Sequence, residues 1–326
     1  MVDAKKTRLG VGGKTRVEHR ENLDLIGTVV AGYLIDEEIG SGAMGTVFRA
    51  KHIDTNRVVA LKAMHTHHLD DPKTVERFRR EARIAARLGH PNIGGVIELV
   101  QDDKDRYLIA MELVEGEPLS SIMTMPLPPE RVMLITGQLL RALEHAHAMG
   151  LIHRDLKPDN VLVEWRNNRD HARIVDFGIA IAREGSEDSV ERLTDKGHIV
   201  GTPVYMAPEQ AKGEVVDQRA DLYSLGVMVY EMVAGVVPFE GRPIEVLAAK
   251  LKRAPLSFAD RVPNLIVDPL LERFCRKLLE RDPAKRFESA RHALHVLKLL
   301  ETDPANAGPA LGIMDVEKAL AVVSLS

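Results

Sequence analysis

The sequence predicts an α+β protein with two lobes, in which a small antiparallel sheet with one main helix precedes a larger, mainly helical part. Up to residue 113 the chain consists of strand-like apolar runs around a glycine-rich turn, interrupted by one helix that starts at Asp71-Pro72. After Pro118, apolar residues recur at helical spacing almost to the end. The length of 326 residues is sufficient for two such parts.

Shifts in composition indicate where these parts begin and end. A basic, polar segment over residues 1–29 is expected to be flexible. The two lobes together occupy 30–302. We place an N-terminal lobe over 30–113, a hinge over 111–116, a C-terminal lobe over 117–302 and a tail over 303–326.

Helical periodicity locates the main helices. The first begins at Pro72 and runs until Gly89 stops it. In the second lobe we predict helices over 131–149, 220–234, 243–251, 269–279 and 290–300.

Composition excludes several classes of protein. A formal net charge of −4 argues against nucleic acid as the main partner. No apolar run of signal-peptide length follows the basic N-terminus. The most apolar stretch, 222–239, contains Glu231, Gly235 and Pro238, so we expect a buried helix instead of a transmembrane segment.

The single cysteine, Cys275, is expected in the core, and its lack of a disulfide partner fits a reducing compartment, the cytoplasm.

A glycine-rich turn, Gly40-x-Gly42-x-x-Gly45-x-Val47, lies between the first two strand runs. Glycines allow backbone N–H groups to approach phosphate oxygens closely. A dinucleotide-binding turn would lead into a helix, whereas Thr46-Val47-Phe48 continues as a strand. A phosphate-binding turn and a plain hairpin turn both remain possible from this motif alone.

Two charged residues follow this turn. Lys62 ends the apolar strand Val58–Lys62, where a point charge can neutralise nucleotide phosphates, although a surface lysine is the simpler alternative. Glu81 lies on the next helix and could pair with Lys62. The alternative is a solvated helix face, where Arg77 and Arg83 are close enough to pair with it.

The segment Asp155-Leu156-Lys157-Pro158-Asp159-Asn160 is far more specific, because polar groups are packed densely between two apolar runs. Such groups need partners, and an active site supplies them. Asp176 follows the next strand. Asn160 and Asp176 provide hard oxygen ligands of the kind that Mg²⁺ prefers together with phosphate oxygens.

The order of these segments resembles that of the eukaryotic-type (Hanks-type) serine/threonine protein kinases, and most of all their bacterial branch. The resemblance covers about Tyr33 to Leu300. It implies a two-lobed protein kinase fold that uses ATP with Mg²⁺, or Mn²⁺, to phosphorylate serine or threonine of protein substrates.

The resemblance also implies roles for individual residues. The catalytic set is Asp155, Lys157, Lys62 and Asn160, and the metal ligands are Asn160 and Asp176. The nucleotide-binding set, by side chain or backbone, is Gly40, Gly42, Gly45, Val47, Ala60, Lys62, Glu81, Met111, Glu112, Val114, Leu162 and Asp176.

Further segments agree with the resemblance. The stretch 201–209 resembles the loop that receives the acceptor peptide, and its Glu209 is expected to pair with Arg286. Asp221 is expected to anchor the backbone around His153. Arg154, directly before the catalytic aspartate, indicates activation by phosphorylation of the loop at 178–209.

Within that loop we favour autophosphorylation of Thr194 over Ser186 and Ser189, and we expect Thr202 to contact the catalytic groups.

The sequence departs from the family pattern in two places. Residues 165–171 lengthen the connection between Asn160 and Asp176, and we expect a polar surface hairpin with Trp165 as a possible docking point. Ala85 is small where the family commonly has a larger apolar residue. Separately, His65, His67 and His68 are expected to form a solvated linker and not a metal site.

Two other functions are alternatives to a protein kinase. A pseudokinase-like signalling scaffold should lack Lys62, Asp155, Asn160 or Asp176, and all four are present. A small-molecule phosphotransferase of related fold should lack the segment 207–209 and its arginine partner, and both are present.

Overall fold

A computed structural model describes residues 24–42, 45–64, 72–104, 106–177 and 203–313. They belong to two units. The first comprises the residues up to Ala86 together with Val96–Leu113, and the second comprises Arg87–Gly95 together with the residues from Val114 onward.

The first unit contains an antiparallel sheet of six strands in the order β1-β2-β3-β4-β6-β5. The strands are β1 (Val29–Val30), β2 (Tyr33–Ser41), β3 (Gly45–His52), β4 (Val58–Met64), β5 (Val96–Gln101) and β6 (Tyr107–Glu112). The hairpin predicted around the glycine-rich turn is therefore confirmed as β2–β3.

One face of this sheet forms the core of the first unit. Phe48 is opposite Leu61, which is opposite Ala110, and all three side chains are fully buried in one apolar cluster. Because side chains alternate across a strand, the neighbouring residues face the other way. The core thus fixes which residues of β3, β4 and β6 are directed toward the opposite face.

The helix of this unit, α1 (Pro72–Ala85), begins at the proline predicted to start it. It ends at Ala85, four residues before Gly89, since the chain from there to His90 is not helical. Phe78, Ala82 and Ala85 are buried. Arg79 donates a hydrogen bond over 2.7 Å to the hydroxyl of Tyr107 on β6, which ties the helix to the sheet.

The second unit is mainly helical, as predicted. Its described helices are α2 (Leu119–Ile122), α3 (Pro129–Ala148), α4 (Pro208–Lys212), α5 (Arg219–Ala234), α6 (Pro243–Lys252), α7 (Phe258–Arg261), α8 (Pro269–Leu278), α9 (Ala290–Thr302) and α10 (Pro304–Ala310). The five long helices predicted there are confirmed within a few residues at each end.

A second sheet of three antiparallel strands lies in this unit, formed by β7 (Glu117–Pro118), β8 (Val161–Arg166) and β9 (Arg169–Ile174). Asn167 and Asn168 join β8 to β9, and both have positive φ angles, 50° and 59°. Two such residues form the tight hairpin turn that matches strand twist. The predicted polar hairpin is confirmed, and Trp165 beside the turn is 70% exposed.

Helix α5 is the apolar stretch expected in the core. Nearly all of its residues are buried, and Gly235 ends it in the left-handed conformation with φ 70°. Among the described residues, no helix combines the length and the apolar character needed to cross a bilayer. Cys275 is fully buried, as expected, and burial raises the pKa of its thiol.

Candidate active site

Five of the nucleotide-binding residues predicted in the first unit lie on the sheet face opposite the apolar core. Gly40 is opposite Val47, and Val47 is opposite Lys62. One row further along, Ala60 is opposite Met111. The strand register therefore gathers these five residues on one face, although up to 71 positions separate them in the sequence.

The three glycines of the turn differ in what their surroundings require. A Cβ on Gly45 would lie 2.2 Å from the backbone oxygen of Ala63, so the packing of β3 on β4 excludes any side chain. A Cβ on Gly40 or Gly42 would meet no described atom within 4 Å. The packing of the fold therefore explains Gly45, whereas no contact with a described residue explains Gly40 or Gly42.

The remaining predicted residues of this unit are placed as follows. Lys62 is half-buried near the end of β4 and is also paired with Ile109 of β6. Glu81 is half-buried on α1. Glu112 ends β6 opposite Val59.

The segment 155–160 of the second unit brings two residues of the predicted catalytic set into direct contact. The Nζ atom of Lys157 lies 3.2 Å from Oδ2 of Asp155. The Asp155 side chain is 42% exposed and that of Lys157 is 23% exposed. A partly exposed carboxylate can accept a hydrogen bond from an incoming hydroxyl group. A cation at this distance from it can stabilise negative charge that develops on a reacting group beside the carboxylate.

Asp221, at the start of α5, holds the backbone just before this pair. Its Oδ2 accepts a hydrogen bond from the N–H of His153 over 2.9 Å, and its Oδ1 accepts one from the N–H of Arg154 over 2.8 Å. Arg154 has a φ of 65°, a conformation that costs free energy in a non-glycine residue. The predicted anchoring role of Asp221 thus has a direct geometric basis.

The protonation of Asp221 follows from the same contacts. Burial by itself would raise the pKa of this carboxyl group, but the hydrogen bond with His147 and the contacts to His147 and His153 outweigh it. The His147 Nε2 atom lies 2.8 Å from Oδ2. The net result is a lowered pKa, so the carboxylate form is favoured.

Asn160 lies at the end of a short 3-10 turn, Pro158–Asn160. Its Nδ2 atom donates to the backbone oxygen of Asp155 over 2.8 Å, and its own backbone oxygen accepts from the N–H of Val175 over 2.8 Å. Val175 directly precedes Asp176, which has a φ of 60°. One side-chain-to-backbone bond and one backbone bond therefore connect the two predicted metal ligands with the segment 155–160.

Leu162 and Val114 are the other predicted nucleotide contacts in this unit. Leu162 of β8 is half-buried, whereas Val161 and Val163 beside it are buried, so it faces away from the core of the small sheet. Val114, in the predicted hinge, is buried. In the same hinge, a Cβ on Gly116 would lie 3.0 Å from the backbone of Val163, so the chain passes close to β8 there.

The ion pair predicted between Glu209 and Arg286 is confirmed. The two side chains are buried and make two hydrogen bonds, of 2.6 and 2.7 Å. Arg286 also lies over the ring of Tyr223, with its Cζ atom 5.0 Å from the centroid. This bidentate pair holds the start of α4 against the α5 side of the unit.

Sequence reasoning missed other contacts around this segment. The Tyr205 hydroxyl donates to Oε2 of Glu231 over 2.6 Å. Gln210 donates to the backbone oxygen of Arg154 over 2.8 Å. Lys250 donates to two backbone oxygens of the segment before α4. No motif marks these residues, because each contact joins positions far apart in the chain.

Several predictions lie outside the described residues. They concern the N-terminal segment to residue 23, the histidines at 65, 67 and 68, the loop 178–202 and the tail from 314. The candidate phosphorylation sites Ser186, Ser189 and Thr194, and also Thr202, belong to that loop.

A glycine turn and strand lysine on one sheet, and an aspartate–lysine–asparagine segment in a helical unit, define the class of protein kinase domains. The comparisons agree with this class. The family model described as "Protein kinase domain" matches residues 33–297, so the chain belongs to the protein kinase family.

The relatives place the chain in the bacterial serine/threonine branch. It is 42% identical over 267 residues to the serine/threonine-protein kinase pkn3 of Myxococcus xanthus, covering 81% of this chain and 49% of that protein. The crystal structure of the Mycobacterium tuberculosis PknI kinase domain matches with a TM-score of 0.65 at 29% identity, covering 85% of this chain and 98% of that one.

A third similar structure is that of Rad53 1-466 in complex with AMP-PNP. Its TM-score is 0.65 at 26% identity, covering 81% of this chain and 64% of that one. The chain spans at most about half the length of the curated relatives that it matches.

Proposed function

We propose that this chain transfers the γ-phosphoryl group of ATP to serine or threonine hydroxyls of proteins, and that its kinase domain spans residues 30–302. The contact that carries the proposal is the one between Lys157 and Asp155, 3.2 Å apart on a backbone held by Asp221. Phosphoryl transfer needs positioning and charge neutralisation more than covalent participation of the protein.

The reaction assigns each group a task. Asp155 accepts a hydrogen bond from the substrate hydroxyl and takes its proton as the new O–P bond forms. Lys157 lies beside this carboxylate and stabilises the negative charge on the phosphoryl group while the bond to the ADP oxygen breaks. ADP then leaves with the electron pair of the broken bond.

ATP binding is proposed for residues on the face of the first unit's sheet opposite its core, and for Leu162 and Val114 of the second unit. Gly40 and Gly42 leave space for phosphates, and Gly45 shapes the turn. Lys62 contacts the phosphates and Glu81 supports it. The proposed adenine contacts are Val47, Ala60, Met111, Leu162 and the backbone of Glu112 and Val114. The similarity to a structure with bound AMP-PNP supports this choice of nucleotide.

Asn160 and Asp176 are proposed to hold Mg²⁺, or Mn²⁺, which when bound neutralises charge on the nucleotide phosphates. Since the amide nitrogen of Asn160 is committed to the backbone oxygen of Asp155, the remaining polar atom of that amide is the oxygen that such a metal prefers. Among the described residues, no group of three His, Cys, Asp or Glu could hold a metal. Two protein ligands with phosphate oxygens do not require one.

Protein substrates are favoured over small molecules because the chain has the buried pair of Glu209 and Arg286. This pair holds the segment that would receive an acceptor peptide. The scaffold alternative has no comparable support, because Lys62, Asp155, Asn160 and Asp176 are all present. We propose that this protein acts in the cytoplasm, where ATP is available and where a chain with a single cysteine needs no disulfide partner.

Autophosphorylation of Thr194 is proposed as the activating step. The support comes from Arg154, which directly precedes the catalytic aspartate and offers a guanidinium group to a phosphate. Mass spectrometry of the active protein should find phosphate on Thr194. An active protein with Thr194 unmodified would contradict this step.

The central test uses labelled ATP, Mg²⁺ and a generic basic protein, with the wild-type chain beside Asp155→Asn. Label on serine and threonine should appear with the wild type and not with the variant. Asp103→Asn, an exposed aspartate of the first unit, is the matched control and should keep full activity. Label transferred to a sugar or an antibiotic, but not to protein, would support the small-molecule alternative.

A further inference from the structure

Lys250, near the C-terminal end of α6, is a lysine with no solvent exposure at all. Its Nζ atom donates hydrogen bonds to the backbone oxygens of Val204, over 2.5 Å, and Met206, over 2.7 Å. Both acceptors belong to a short non-helical segment, residues 203–207, which leads into α4. One side chain thus holds two carbonyl groups that no helix or strand satisfies.

The carbonyl between these two is held by another side chain. The Ser224 hydroxyl of α5 lies 2.9 Å from the backbone oxygen of Tyr205 and 3.2 Å from that of Ala220 in its own helix, so the shorter contact is the one to Tyr205. Three consecutive carbonyls, at 204, 205 and 206, therefore accept hydrogen bonds from side chains of α5 and α6. Residues 204–206 are half-buried, and a carbonyl largely removed from water is costly without a partner, so these bonds favour one conformation of the segment.

Burial makes the site of Lys250 costly for a cation, even with a cation–π contact in which the Nζ atom lies 5.2 Å from the centroid of the Tyr223 ring. Arg286, a second cation, lies over the same ring. Burial lowers the pKa of Lys250 to about 7, and no acidic side chain contributes to that shift. An apolar residue of similar length, such as methionine, could fill this volume without the desolvation cost. Packing alone does not account for a lysine here.

The contacts of Lys250 reach the segment proposed to bind the acceptor peptide, and not the residues proposed for phosphoryl transfer. They reach the segment 203–207 and the ring of Tyr223, and none of them involves Asp155, Lys157 or Asn160. We propose that Lys250 is a positioning residue, which holds residues 203–207 in the conformation that binds the acceptor peptide. The proposal rests on the proposed function and extends it to a residue outside the catalytic segment.

Kinetics can separate this role from general support of the fold. Lys250→Met keeps the length of the side chain and removes its donors, and Lys252→Met changes an exposed lysine of the same helix as a matched control. With a serine peptide as acceptor, Lys250→Met should raise the KM for peptide about ten-fold, as expected for lost hydrogen bonds from a charged donor. The kcat and the KM for ATP should stay within about two-fold.

Hydrogen exchange supplies a readout that does not depend on activity. The backbone amides of residues 204–207 should exchange about ten-fold faster in Lys250→Met, while those of α5 and α8 keep wild-type rates; Pro203 has no amide hydrogen. Unchanged exchange and an unchanged KM for peptide would overturn the proposal. Faster exchange spread over α5 and α8, with kcat and both KM values altered together, would also overturn it, because Lys250 would then only support the fold.

A failure of the proposed function is distinguishable from these outcomes. A wild-type chain that transfers no phosphate to protein would overturn the proposed function and with it the peptide-binding role. Faster exchange confined to 203–207 would in that case still show that Lys250 holds the segment.

Discussion

The side-chain nitrogen of Asn160 donates a hydrogen bond to the backbone oxygen of Asp155 over 2.8 Å. The bond connects a proposed metal ligand with the proposed catalytic carboxylate through the chain itself. A change at Asn160 is therefore expected to disturb both the metal site and the position of Asp155.

Asn160→Ala should reduce phosphate transfer at least about a hundred-fold, the scale seen when one preorganised polar group is removed from an active site. The loss of one hydrogen bond should cost only about 1 kcal/mol of stability, so the variant should fold. Transfer to a generic protein and thermal unfolding measure the two effects. Asn306→Ala, at the exposed N-terminal end of α10, should leave transfer unchanged. Wild-type rates in Asn160→Ala would contradict the assignment.

Alanine at the three glycines of the turn should give two different phenotypes. Gly45→Ala should lower the unfolding temperature, because its Cβ would lie 2.2 Å from the backbone oxygen of Ala63. Gly40→Ala and Gly42→Ala should keep the wild-type unfolding temperature and raise the KM for ATP, since the added methyl group would meet no described residue within 4 Å but would meet a nucleotide bound at the turn. A wild-type KM for ATP in both of these variants would argue against phosphates at this turn.

Arg286→Met should destabilise the chain by about 3–5 kcal/mol, the usual cost of leaving one buried charge without its partner. The partner here is Glu209, whose two oxygens lie 2.6 and 2.7 Å from the guanidinium nitrogens. Denaturant unfolding followed by circular dichroism measures the change. The exposed pair of Arg242 and Glu245 provides the comparison, and Arg242→Met should not shift the midpoint. Equal effects of the two changes would mean that burial of the ion pair is unimportant.

The lowered pKa of Asp221 predicts how the stability of the folded chain depends on pH. Its pKa is lowered in the folded chain, so its contribution to stability is complete above the unfolded value of about 4 and is lost as the pH falls through the folded value. Asp221→Asn should therefore be clearly less stable than wild type at pH 7, and the difference should shrink toward pH 3. Urea unfolding across this range tests it, with Asp103→Asn as the exposed control. A constant difference at all pH values would be inconsistent with the lowered pKa.

The order of strands and helices was largely predictable because local patterns encode it. The proline at position 72 starts α1, Gly235 ends α5, and the polar hairpin at 165–171 was expected from its composition. The end of α1 was misplaced by a few residues, since Gly89 is not the residue at which the helix stops. The buried pair of Glu209 and Arg286 was found only through the family resemblance.

The sequence by itself determined the family, the two-part α+β architecture and the residues proposed for chemistry, because motifs such as 155–160 consist of residues that are adjacent in the chain. Tertiary structure alone decided which glycine the fold requires, and that Lys250 contacts Val204, 46 positions away in the chain. Contacts at such separation depend on how α6 packs, and local spacing does not encode that packing. A buried lysine and an exposed lysine on one helix, Lys250 and Lys252, are indistinguishable until the chain has folded around one of them.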